Sequence, residues 1–139
     1  MRFRPILSII PLLCFATGVA VAQAASGDDA DAAMRTKLKS DLRNLVVAQE
    51  SYFADHSAYA DLLDNLKFRP SAGSQISLVA TQNNAWAAVA SDPSWPGKSC
   101  VIYINLAEKY RPKTLQEKQV GGMQDEGRPM CDGDPKPEK

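Results

Sequence analysis

Histidine and cysteine, the side chains that most often build metal sites and nucleophilic centres, are scarce in this chain. It contains one histidine and three cysteines, and its 16 basic residues are balanced by 16 acidic ones. Removal of an N-terminal leader would leave two cysteines and one histidine. That set cannot complete the usual structural zinc tetrad. Because the chain has no basic excess, its composition gives no reason to expect a nucleic acid as partner.

The single histidine, His56, does not indicate a catalytic site. A general base needs a nucleophile and an orienting partner within hydrogen-bond reach. Ser57 is adjacent only in sequence, and no nucleophile-elbow motif accompanies it. His56 is therefore interpreted, together with Asp55, as a polar pair at a helix end, and the sequence predicts a protein that is not an enzyme.

The N-terminus reads as an export signal. Arg2 and Arg4 precede the uncharged segment Pro5–Ala22, and an A-x-A pattern ends at Ala24. A basic start, an apolar run and a small-residue exit are typical of a secretory signal peptide, so residues 1–24 are predicted to be cleaved. An uncleaved inner-membrane anchor is the alternative, although the run is near the lower length limit for a membrane span and Pro11 interrupts it.

Removal of that signal leaves one modest domain with a predicted disulfide. Cys14 leaves with the signal, so the mature chain retains Cys100 and Cys131. In an oxidising compartment these two most simply form one bond. That bond would close a loop of 32 residues. In the chain-entropy model, closing a loop of this length stabilises a fold by roughly 3–4 kcal/mol. The predicted location is periplasmic or secreted, or the inner membrane if the signal is retained.

A long amphipathic helix is the strongest element in the mature chain. Residues 25–33 are small and acidic and are predicted to be a flexible leader, whose aspartates suit a helix N-terminus. An apolar stripe then follows helical spacing through Met34, Leu38, Leu42, Leu45, Val46, Tyr52 and Phe53. The pattern predicts one helix of about 25 residues that ends near His56. We expect only its C-terminal half to pack, with the remainder projecting or fraying.

Three strands follow the helix. The patterns of alternation predict them at Gln75–Gln82, Ala85–Ser91 and Cys100–Leu106, with Asn83-Asn84 closing a hairpin. Residues 34–132 are predicted to form the domain and residues 133–139 a disordered tail. Because the helix stripe needs an apolar surface, we expect it to lie on one face of the antiparallel sheet, which is an α+β architecture.

Three segments resemble type IV pilins and the major pseudopilins of type II secretion. They are "DLRNLVVAQESYFADHSAYA" (Asp41–Ala60), "WAAVASDPSWPGKSCVIYI" (Trp86–Ile104) and "EGRPMCD" (Glu126–Asp132). The resemblance implies that the latter half of the long helix closes the head by packing on a three- or four-stranded sheet. It also implies that a disulfide pins the C-terminal segment, with Cys100 and Cys131 falling where that bond would sit.

One part of the family pattern is missing. Prepilins carry a processing glycine and then a Phe-Thr-Leu-Ile-Glu-like run that opens the assembly helix. Here Phe3 is followed by Arg4-Pro5, and no acidic residue precedes Asp28. The resemblance therefore implies a pilin-like structural or interaction protein, accessory to a pilus or secretion apparatus, with protein partners. A small ligand-binding domain and a membrane-anchored atypical subunit are the alternatives.

One surface is a candidate for binding a partner or a ligand. Trp95 lies in a loop, between Ser94 and Pro96, and with the basic residues Lys109, Arg111 and Lys113 it forms the predicted interaction surface. Because Glu108 and Glu117 offset the basic cluster, an ordinary solvated face is the other interpretation of these three residues. Trp86, inside a strand, is predicted to be core.

Calcium, which prefers several oxygen ligands, is a minor alternative at the C-terminal acids. These are Asp125, Glu126, Asp132 and Asp134, and some pseudopilins bind calcium in a comparable loop. Their spacing matches no EF-hand template, so a solvated acidic loop is expected, and no cofactor is predicted.

Overall fold

The fold consists of one long helix and a four-stranded antiparallel sheet. The computed structural model describes residues 26–116 and 126–135, so the predicted signal peptide lies outside the described residues. The elements are α1 (Gly27–His56), β1 (Gln75–Gln82), β2 (Ala85–Ser91), β3 (Cys100–Ile104) and β4 (Met130–Cys131). Strands pair in chain order, each antiparallel to the next. The predicted α+β class is confirmed.

The bounds of α1 are explained by a side-chain cap before its first residue and a left-handed residue after its last. The hydroxyl of Ser26 accepts a hydrogen bond from the amide of Asp29, and two aspartates lie in the first turn. Ser57 adopts the left-handed conformation at the C-terminus and donates its amide to Phe53 O. The helix spans 30 residues. It therefore includes residues 27–33, which the sequence assigned to a flexible leader.

The core lies between α1 and one face of the sheet. Leu38, Leu42 and Leu45 are fully buried, and they share a cluster with Trp86 and Ile102. The burial of Trp86 confirms the prediction made for it. A second cluster, around Tyr103 on the opposite face, buries the other side of β2 and β3. Burial on both faces explains why β2 shows no clean polar–apolar alternation.

The N-terminal half of α1 packs against the domain, so the expectation that it projects or frays is wrong. Lys37 Nζ lies 2.7 Å from a carboxylate oxygen of Asp92. Lys39 Nζ lies 2.7 Å from Asp134, and Arg35 Nε lies 3.9 Å from the same carboxylate. Charged pairs thus hold the part of the helix that carries few apolar residues. Asp134, which the sequence placed in a disordered tail, is one of their acceptors.

The predicted disulfide is confirmed and joins two paired strands. Cys100 and Cys131 face each other in the β3–β4 register and form a bond across 31 residues of sequence, with both residues fully buried. Such bonds are typical of proteins in an oxidising compartment. Within residues 26–116 and 126–135, no helix combines the length and apolarity that a membrane crossing requires.

Candidate interaction surfaces

The three basic residues of the predicted surface lie together: Lys109 is part of the 3-10 turn Glu108–Tyr110, and Arg111 and Lys113 follow it. Lys109, Arg111 and Lys113 line a shallow depression of about 460 Å³ with Glu108. Arg111 also covers the sheet, because its guanidinium carbon lies 4.7 Å from the centre of the Tyr103 ring. The structure therefore places these cations on one surface, and their role in binding a partner stays a prediction.

Trp95 is not part of that surface, which corrects the sequence interpretation. Its relative exposure is 5%, and it belongs to the core cluster beneath α1. Its indole Nε1 donates a hydrogen bond to Asp31, 2.8 Å away. Trp95 therefore packs on the helix side of the sheet, whereas Arg111 contacts Tyr103 on the other side. A buried tryptophan needs a partner for its N–H, and the helix supplies one.

Asp31 and Asp92 are the acceptors that fix the loop carrying Trp95. Asp31 pairs with Lys98, and the hydrogen bond from Lys98, followed by that from Trp95, lowers the pKa of the Asp31 carboxyl. Asp92 accepts from Lys37 and from the amide and hydroxyl of Ser94, and these bonds lower its pKa to about 2. Both carboxylates are therefore ionised over the whole neutral range and hold the loop on the helix.

The acids considered for calcium have separate structural partners. Asp132 is fully buried and accepts the amides of Ser99 at 2.8 Å and Gln116 at 3.2 Å. Glu126 accepts the amide of Asn105, and Asp134 pairs with α1 as described. Asp125 lies outside the described residues. Among the residues that the structure does describe, no three His, Cys, Asp or Glu side chains form a group that could hold a metal.

A groove along α1 is a surface that the sequence interpretation missed. It has a volume of about 650 Å³ and lies between the helix and the segment Asn65–Lys67. The helical wall consists of Asn44, Val47, Ala48, Ser51, Tyr52, Asp55 and His56. Val47 is 69% exposed. The signal for the groove was present in the sequence, since an aliphatic residue interrupts the polar face of α1.

At the end of this groove His56 contacts Tyr52. Its Nδ1 lies 2.9 Å from Tyr52 O, and the two rings stack with centroids 3.9 Å apart. Asp55 and His56 are both exposed in the last turn of α1, as expected of a polar pair at a helix end, and the imidazole contacts Tyr52 one helical turn earlier.

Gln49 is a second residue that the sequence did not identify as important. It is fully buried within the apolar stripe, and its amide exchanges two hydrogen bonds with the backbone of Ala60, at 3.0 Å and 2.9 Å. This pair fastens the chain that leaves α1 back onto the helix. A lone amide inside an apolar stripe was the available signal.

Comparison with known proteins adds no relative to this description. No protein-family model, no curated protein and no solved structure matches the chain. The assignment of a function therefore depends on the fold and on the surfaces described above.

Proposed function

We propose that this chain is an exported, non-enzymatic, pilin-like protein that acts through protein–protein contacts, as an accessory of a type IV pilus or a type II secretion apparatus. The observation that carries the proposal is the arrangement of α1 over a four-stranded antiparallel sheet whose last strand is tied by a disulfide. Element order, strand pairing and the place of the disulfide agree with the expectations that the resemblance raised.

The way in which the C-terminal segment is held supports this proposal. Cys131 is bonded covalently to β3, and Asp134, three residues later, pairs with Lys39 of α1. The charged side chains near this segment thus act in structural pairs. Two surfaces remain open for partners, namely the α1 groove and the basic depression around Lys109.

The missing prepilin motif favours an accessory role over that of a shaft subunit. Before Asp28 no glycine is followed by a Phe-Thr-Leu-Ile-Glu-like run, and there is no acidic residue. If residues 1–24 are removed, the head is exported without the part that polymerises pilins. Its partners are then proteins of the apparatus, and membrane contact arises only if the signal is retained.

Deletion of the gene in the producing bacterium tests the proposal. We expect fewer surface pili in a shear fraction, or less of the secreted substrates in the medium, and recovery with a plasmid copy. A copy carrying Lys109→Glu and Lys113→Glu should fail to restore the defect although it folds, while the charge-matched control Arg43→Glu with Arg69→Glu, at two exposed residues outside both surfaces, should restore it. Unchanged piliation and secretion in the deletion strain would contradict the proposal.

The mature N-terminus separates the exported form from the anchored alternative. We expect the intact mass of the exported protein to show Ala25 as its first residue. A protein that retains Met1 and fractionates with the membrane would instead support the anchored subunit.

The α1 groove favours a second candidate function, a small ligand-binding domain. Its volume of about 650 Å³ is within the range of small-molecule sites, and Tyr52 and His56 give it an aromatic end. Amide chemical shifts recorded during titration with small sugars and short peptides test this candidate. Shifts confined to Tyr52, His56 and Lys67 would support it, and an unchanged spectrum throughout would end it.

A further inference from the structure

Strand β1 forms an open edge of the sheet. Within the described residues its backbone hydrogen bonds run to β2 alone, because the order β1-β2-β3-β4 leaves its other side without a strand. Helix α1 lies chiefly over β2, β3 and β4. Ile76 and Leu78 are consequently only half-buried, and Val79 is 52% exposed. An edge strand of eight residues is a ready template for another strand.

The hairpin that contains this edge lacks two of the usual protections against pairing, namely charged residues and proline. Residues 71–91 include no charged side chain and no proline, although 32 of the 139 residues in the chain are Asp, Glu, Lys or Arg. Natural edge strands are commonly blunted by lysine, proline or inward-pointing charge. The strand therefore presents neither charge nor proline to a partner strand, and its one irregularity is the bulge at Val79.

A bulge in β1 changes which residues share a face. Ile76 pairs with Ala90 and Thr81 pairs with Trp86, and both partners belong to the cluster beneath α1. In a regular strand, two residues five positions apart would point to opposite faces. The register shift between Leu78 and Ala80 brings Ile76 and Thr81 to the same face.

The other face shows the same symmetry. Ala80 pairs with Ala87, which belongs to the cluster around Tyr103, and Ser77 pairs with Val89. Val89 lies between two residues of the helix side, so it points to the Tyr103 side as Ala87 does. Ser77 and Ala80 therefore also share a face. If β1 is placed antiparallel to a copy of itself, Ile76 comes to lie opposite Thr81 and Ser77 opposite Ala80. In each of these pairs the two residues point to the same face of the sheet.

We propose that β1 pairs antiparallel with β1 of a second copy of this chain. Ile76 then lies opposite Thr81 of the second copy and Ser77 opposite its Ala80, so these side chains keep their faces. Leu78 lies opposite Val79, the residue that the bulge leaves without a partner in β2. The two sheets become one continuous sheet with both helices on the same side. The interface is isologous, as a two-fold dimer requires.

The opposite edge of the sheet limits this assembly to two copies. Strand β4 has only two residues, both buried, and the amide of Cys131 donates to the carboxylate of Asp134 at 2.8 Å. A strand that short offers no comparable template for further pairing. The inference uses the fold alone and stands or falls independently of the pilus assignment.

Sedimentation and light scattering over a concentration series test the inference with a matched pair of variants. Val79→Lys places a cation on the edge strand. Val47→Lys is the control, because it makes the same change at an exposed valine (69%) on α1, away from that edge. We expect a dimer for the wild type and for Val47→Lys, and a dissociation constant raised roughly tenfold or more for Val79→Lys. Ser77→Lys, at another exposed position of the edge, should act in the same way if Val79→Lys does not fold.

Cysteine cross-linking tests the register. Under mild oxidation, an equimolar mixture of the Ser77→Cys and Ala80→Cys proteins should give a covalent heterodimer, and neither protein alone should do so. A wild type that stays monomeric up to about 1 mM would overturn the inference. So would a dimer that Val47→Lys dissociates and Val79→Lys leaves intact, because that result would place the contact on the α1 groove.

Discussion

Replacing Leu42 with alanine should destabilise the protein strongly, because this side chain lies at the centre of the contact between α1 and the sheet. Leu42 is fully buried, and so are Leu38 one turn before it and Leu45 one turn after it. These neighbours are held by the same sheet, so the structure has little freedom to collapse into the space that the leucine leaves. The change therefore removes apolar contacts and creates a cavity.

The size of the effect follows from the atoms removed. Leucine has three more carbon atoms than alanine, and at about 0.8 kcal/mol for each buried carbon their transfer to water costs about 2.4 kcal/mol. A residual cavity adds to this, and buried leucines measured in this way lose about 2–5 kcal/mol. We expect about 3 kcal/mol, which corresponds to a decrease in Tm on the order of 10–15 °C.

Urea unfolding followed by tryptophan fluorescence measures this loss, since Trp86 is fully buried in the same cluster. Val47→Ala is the control on the same helix. Because Val47 is 69% exposed, this substitution should change the unfolding free energy of the protein by less than about 0.5 kcal/mol. A loss for Leu42→Ala no larger than that of the control would refute the packing of α1 on the sheet.

Three further outcomes are expected. Gly73→Ala should cost more stability than Gly97→Ala, by roughly 1 kcal/mol: both glycines have positive φ, but a Cβ at Gly73 would meet the carboxylate of Asp92 at 2.9 Å, which Lys37 and Ser94 hold in place, whereas nothing lies within 4 Å at Gly97, and equal losses in urea would contradict this. The hydrogen bonds from Lys37 and then from Ser94 lower the pKa of Asp92 from 3.8 to about 2, so the stabilisation that they provide is present above the unfolded pKa and is lost as the pH falls towards 2. The stability difference between wild type and Asp92→Asn should therefore shrink in acid titrations, and a gap independent of pH would exclude this pair. Reduction of the disulfide should lower the unfolding free energy by about 3–4 kcal/mol, and an unchanged urea midpoint would show that the cross-link contributes nothing.

The elements that depend on local pattern could be predicted from the sequence. Strands β1 and β2 have the bounds that alternation and the Asn83-Asn84 turn indicated, and β3 ends two residues earlier than expected. The cysteine pair could be predicted because two thiols in an exported domain leave one simple connection. Each of these predictions needs only the pattern of a few neighbouring residues or the number of cysteines in the chain.

The interactions that depend on distant partners could not be predicted. Trp95 was expected in a surface loop, yet its indole finds Asp31 at a separation of 64 residues. Lys39 finds Asp134 at a separation of 95 residues. The periodicity of apolar residues gives no information on charged residues that are held by ion pairs. The N-terminal half of α1 was therefore expected to project. Gln49 was missed for the same reason, since its partner is the backbone of Ala60.

Hydrogen exchange of the α1 backbone amides from Leu38 to Gln49 tests most directly whether the helix closes the core. If the stripe is sealed against the sheet, these amides should exchange only through global unfolding, at the same free energy as the central amides of β2 and β3. Exchange of the helix amides within minutes, while β2 and β3 remain protected, would show a helix that stands apart from the sheet.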